Sequence, residues 1–159
     1  MASPSARIVA RPTGSDEKLA RTLARAVEAG WCATSFARPE DAEVRHAYWN
    51  RCVAERRVEV YACFDDTRGG ATVGACSLSA SRHGNEEWNA LLTAALERYC
   101  HGGARVSVWA FGADVHGARP RDVEEIVTSI LPIALAFAKH AKKSVGGDDQ
   151  TGPNGTTSR

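Results

Sequence analysis

The hydrophobic period of the chain changes several times, and each change marks an element. Leu19, Leu23, Ala26 and Val27 recur at helical spacing. Ser15 supplies an N-cap, Asp16 and Glu17 place acids at the positive end of the helix dipole, and Gly30 ends the run. Pro39, Glu40 and Asp41 open a second helix, with Val44, Tyr48 and Cys52 on one stripe. From Val58 the period falls to two: Val58, Val60, Ala62 and Phe64 share one strand face, and Glu59, Tyr61 and Cys63 share the other. Residues 65–70 read as a turn by composition, and residues 72–80 return as the antiparallel partner of a hairpin.

After a polar loop, Glu86 and Glu87 suit a helix N-terminus, and Trp88, Leu91, Leu92, Ala95, Leu96 and Tyr99 follow at spacings of three and four. Gly102 and Gly103 end that helix. Residues 105–111, RVSVWAF, predict a third strand, apolar on both faces toward its end as a strand covered on two sides would be. A polar turn carrying Asp114, His116 and Arg119 then leads to a final helix over 121–143. Its stripe is Val123, Ile126, Val127, Ile130, Ala134, Phe137 and Ala138, with cationic side chains at its C-terminal end. Pro132 inside it removes a backbone hydrogen bond and predicts a kink near Thr128 or a restart.

The order helix, helix, strand, strand, helix, strand, helix describes an α+β domain. Its small, mainly antiparallel sheet consists of a hairpin plus a third strand, packed with about four helices, the C-terminal one long. A chain of 159 residues accommodates one such domain, expected over 15–144, with a flexible N-terminus over 1–14 and a disordered tail over 145–159. A net charge of +1 gives no bulk attraction to nucleic acid or acidic lipid, so a nucleic-acid partner is not favoured. No apolar run has signal-peptide or membrane-span length, which points to a cytoplasmic protein with no membrane partner. The five cysteines, Cys32, Cys52, Cys63, Cys76 and Cys100, contain no C-x-x-C pair and are expected to be free, mostly buried thiols. The histidines are scattered over separate elements, so no metal site is expected.

Two polar clusters are candidate ligand sites. Asp114, His116 and Arg119 follow the end of the third strand, where α/β proteins often bind ligands. Ser81, Arg82 and His83 lie in the loop after the hairpin, without the surroundings of a known nucleophile motif, and no catalytic residue is assigned. Leu131, Ile133 and Leu135 widen the apolar surface of the last helix beyond half its circumference. A helix apolar on so many sides needs cover on a second side, so these three are expected at an interface, with Leu131 and Leu135 exposed in an isolated chain. Trp49, off its helix stripe, is a further interface residue, while Trp88 and Trp109 are expected in the core. The resulting reading is a non-catalytic binding or adaptor module that acts as a homo-oligomer or with a protein partner, without a cofactor.

Several segments together resemble the GNAT acetyltransferase superfamily: RIVARP near the start, the hairpin VEVYACFDDTRGGATVGACSLSASRHG, the helix ALLTAALERYC and the strand and turn RVSVWAFGADVHGAR. The resemblance implies an N-acetyltransferase that holds acetyl-CoA with a fourth strand and a Gly-rich turn. Between Ala80 and Trp88 the chain has only SRHGNEE, with one glycine and two carboxylates at the place for a pyrophosphate, so a degenerate member without the cofactor is implied. Length and element order also resemble rod-shaped plant virus coat proteins, which implies a self-assembling RNA-binding subunit.

Overall fold

The computed structural model describes residues 14–31, 58–65, 69–77 and 85–148. Its elements are α1 (Gly14–Glu28), β1 (Val58–Asp65), β2 (Gly70–Ser77), α2 (Asn85–Glu97), β3 (Arg105–Trp109), β4 (Gly112–Ala118), a 3-10 turn (Pro120–Asp122) and α3 (Val123–Asp148). The expected helix after Pro39, the cysteines Cys32 and Cys52, and most of both tails lie outside the described residues. The strands form one antiparallel sheet in the order β1-β2-β4-β3, so the α+β architecture with a long C-terminal helix holds.

The sheet departs from expectation at its centre. Residues 112–118, expected as a turn, form β4, paired with β2 on one side and β3 on the other. The third strand stops at Trp109 because only Ala110 and Phe111 separate it from Gly112, its partner across the turn. Ala113 and Val115 face the core, both fully buried, while Asp114 and His116 alternate with them. Apart from Val115, that period of two is spelled in glycine, alanine and polar residues, which have little strand preference of their own. A bulge near the strand's end, with Gly117 at φ 80°, sits where the register shifts between Ala71 and Thr72.

β3 is consequently an edge strand and not a strand covered on two sides. Trp109 is 43% exposed, against its expected place in the core, whereas Trp88 is buried as expected and stacks on Phe137 with ring centroids 4.3 Å apart. Gly102 and Gly103, both at positive φ, make the turn into β3 and do not end α2, which stops at Glu97. The Ala104 N–H closes that turn on the His101 carbonyl.

The three described helices share one face of the sheet. α1 lies against β1, α3 against β1 and β2, and α2 against β4 and β3, with α3 touching both other helices. The position of α3 explains its broad apolar surface. Flanked by two helices and seated on the sheet, it is covered on three sides by its own chain. Leu131 is fully buried and Ile133 nearly so, while Leu135 is half-buried. The expected exposure of Leu131 is therefore corrected: it belongs to the domain's own core. Nor does Pro132 restart the helix, which runs without interruption from Val123 to Asp148.

At the other end of the sheet, α1 finishes in a Schellman arrangement. The Gly30 N–H donates to the Val27 carbonyl and the Trp31 N–H to that of Ala26, with Gly30 at φ 83°. The buried Trp31 then accepts a hydrogen bond at its carbonyl from the Phe64 N–H of β1. One residue thus seals a helix end and occupies a point on the sheet's outer edge.

Candidate functional site

The sheet face opposite the helices carries residues in three cross-strand rows. Tyr61, Gly74, Asp114 and Ser107 form the middle row; Cys63, Thr72, His116 and Arg105 form one neighbour, and Glu59, Cys76, Gly112 and Trp109 the other. Asp114 and His116, two residues apart on β4, share this face because strand side chains alternate.

Gly74 makes the middle row possible. A Cβ there would stand 2.3 Å from the Asp114 Cβ, so only a residue without a side chain fits between Tyr61 and Asp114. Across that gap the Tyr61 hydroxyl donates to Asp114 Oδ2 at 2.5 Å. His116 Nε2 lies 2.7 Å from the other oxygen, Oδ1, and the Thr72 hydroxyl oxygen lies 3.2 Å from His116 Nδ1. The Nε2 contact with Oδ1 is close but poorly directed, so this buried oxygen has a charge-complementary neighbour without an aligned donor. With the ring proton on Nε2, facing the carboxylate, Nδ1 accepts from Thr72. The network ties three strands together through one 8%-exposed carboxylate.

Burial, and after it the bond to Asp114 and its charge, pushes the Tyr61 phenol far above its usual range. Burial, followed by the charges of Glu59 and Asp114, pushes the Cys76 thiol up to about 12. Both groups therefore stay protonated near neutrality, and Cys76 is not an activated nucleophile. Cys63 and Cys76 are buried as expected, but Cys100 is exposed.

Thr72, His116 and Asp114 follow the order hydroxyl, imidazole, carboxylate that nucleophilic catalysis uses. Their setting differs from a catalytic one. Thr72 is in a strand paired on both sides, where the ladders consume the backbone N–H groups that would stabilise an oxyanion. Both imidazole nitrogens already have protein neighbours. The arrangement is a clamp across the sheet.

Of the residues expected to cluster here, Asp114 and His116 meet. Arg119 does not join them: its Nε donates to Asp122 Oδ2 at 2.7 Å, at the 3-10 turn before α3. Ser81, Arg82, His83 and Trp49 lie outside the described residues. Sequence reasoning missed Tyr61, Thr72 and Arg105, which only strand pairing brings beside Asp114 and His116.

Beside the clamp runs the exposed edge. Val108 and Trp109, 56% and 43% exposed, are the large apolar side chains most open to solvent among the described residues. A two-residue turn closes on a hydrogen-bonded pair, here Trp109 with Gly112. Counting back along the ladder, Arg105, Ser107 and Trp109 bond inward to β4, and Val106 and Val108 turn their N–H and C=O groups outward. Asn89 of α2 holds the end of the strand, its Nδ2 donating to the Trp109 carbonyl at 2.8 Å.

Among the described residues no group of side chains is arranged to hold a metal ion, and no helix is long and apolar enough to cross a membrane. Comparison with protein-family models, curated proteins and solved structures gives no match, so the geometry of the clamp and of the β3 edge carries the functional reading.

Proposed function

We propose that the protein is a non-catalytic binding module that associates with protein by adding a strand to β3. The observation that carries this reading is an open edge with outward backbone groups at Val106 and Val108, bordered by exposed apolar side chains. Strand addition uses main-chain hydrogen bonds for affinity and alternate side chains for selectivity. Here Arg105, Ser107 and Trp109 read one face of the incoming strand, and Val106 and Val108 read the other. The surface expected on the last helix is thereby replaced by the sheet edge, because Leu131 and Ile133 are occupied within the chain. The clamp supports this role by holding β4 rigid against β1 and β2, so that β3 is presented on a fixed frame.

A synthetic strand-forming peptide of alternating threonine and two valines, unlike β3 in sequence, tests the edge directly. Titrated into the full chain, it should bind saturably and slow hydrogen exchange at the Val106 and Val108 amides. The same peptide N-methylated at its two valines should do neither. Equal behaviour of the two peptides, or protection elsewhere in the chain, would remove the edge as the binding surface.

A further inference from the structure

We infer that the strand β3 receives is β3 of a second copy of this chain, antiparallel and centred on Ser107. This rests on the strand-addition reading above and adds the identity of the partner. The strand RVSVW is complementary to its own reverse. About a two-fold axis at Ser107, Arg105 stands opposite Trp109 of the partner subunit, Val106 opposite Val108 of the partner subunit, and Ser107 opposite its own copy. Directly opposed residues of antiparallel strands lie on the same sheet face. The guanidinium therefore meets an indole on the clamp face, and valine meets valine on the helix face. No like charges oppose each other along the strand.

The backbone agrees with this register. Val106 and Val108 carry the outward N–H and C=O groups, and in this register they are each other's partners, exchanging bonds in both directions. A shift by one residue sets Arg105 against valine and places the two helix layers on opposite sides of the joined sheet. A shift by two leaves Trp109 or, in the other direction, Arg105 beyond the partner's strand. The centred register alone pairs all five residues, and it joins two four-stranded sheets into one with both helix layers on the same side. A closed two-fold contact of this kind uses the same patch on both copies. The opposite edge does not offer it, because the Trp31 carbonyl already occupies the Phe64 amide there.

Sedimentation velocity over a concentration series, joined to disulfide trapping, tests the inference on the full chain. The unaltered protein should pass from monomer to dimer. Val108→Lys should raise the dimer dissociation constant by at least about tenfold, since the substitution acts at two symmetry-related pairs. Val108→Pro should abolish the dimer by removing an outward N–H that β4 does not use. Ser107→Cys should cross-link to itself on mild oxidation, because Cα atoms of a non-hydrogen-bonded pair lie about 4.5 Å apart. Arg105→Cys alone should cross-link no more than the unaltered chain with its native cysteines, yet should do so when mixed with Trp109→Cys. Should Val108→Pro fail to fold, Val108→Lys and the cysteine variants decide the matter. A chain that stays monomeric, with no trapping by Ser107→Cys, overturns the self-pairing. If the threonine–valine peptide still protects the edge, the edge belongs to another protein; if it does not, the strand-addition reading falls as well.

Discussion

The two outer strands of the sheet, β1 and β3, have similar alternating sequences and opposite fates. VEVY in β1 and VSVW across β3 both set valines on the helix face and a polar and an aromatic residue on the other. Val58 and Val60 are nearly inaccessible, whereas Val108 is more than half exposed. α1 and α3 cover β1, Trp31 occupies a point on its edge, and Tyr61 is tied to Asp114. Among the described helices α2 alone packs substantially on β3, and Ser107, Val108 and Trp109 face solvent. A strand's own residues do not close an edge; what packs beyond them does.

The comparison breaks most sharply in the core that covers β1. Leu131→Ala should lower stability by about 2–5 kcal/mol, read as a shift in the urea midpoint, because it empties a fully buried site. A change smaller than about 0.5 kcal/mol, the range of surface substitutions, would return Leu131 to the interface role first expected of it.

Gly74→Ala sharpens the same contrast inside the clamp. The added carbon meets Asp114 and the Ala113 carbonyl at 2.3 and 2.5 Å, largely against backbone that cannot swing aside. A loss of about 1–3 kcal/mol is expected from such overpacking, with the Tyr61 bond broken. Ring chemical shifts of Tyr61 and His116 that stay unchanged in the variant would contradict the contact.

Alkaline pH should loosen the clamp before the β3 side. Tyr61 and Cys76 have raised values in the folded chain, so folding favours their protonated forms. Their contribution is complete below the ordinary values and is lost as pH rises, for Cys76 between 9.0 and about 12 and for Tyr61 from 10.0 upward. Melting temperature should fall with pH over that window, and less steeply in Tyr61→Phe and Cys76→Ala. Parallel slopes in all three proteins would show that neither group carries the effect. The smallest change is expected at Val108→Ala, within about 0.5 kcal/mol of the unaltered monomer. A larger loss, measured where the chain is monomeric, would show that Val108 contributes to the core.

The elements that were legible in the sequence are those whose large apolar residues repeat along the chain itself. Leu19, Leu23 and Val27 announce α1, Trp88 to Leu96 announce α2, Val123 to Ala138 announce α3, and the alternation from Val58 announces β1. Each pattern is local, because a helix or strand sorts its own side chains by face. The pairing of Asp114 with His116 was half legible for the same reason, as their spacing places them together once a strand is granted.

What only the tertiary structure decided depends on neighbours distant in sequence. β4 is a strand because β2 and β3 pair with it, not because Gly112, Ala113 and Asp114 prefer that form. The clamp joins Tyr61 to Asp114 across 53 residues of chain, and it closes because Gly74 has no side chain to stand between them. Leu131 is inside because two helices flank α3, and Trp109 is outside because, among the described residues, no strand pairs beyond β3. Apolar residues along a segment determine which face seeks cover. Whether the chain itself supplies that cover is settled by the order of strands in the sheet and by the single face on which the three described helices gather.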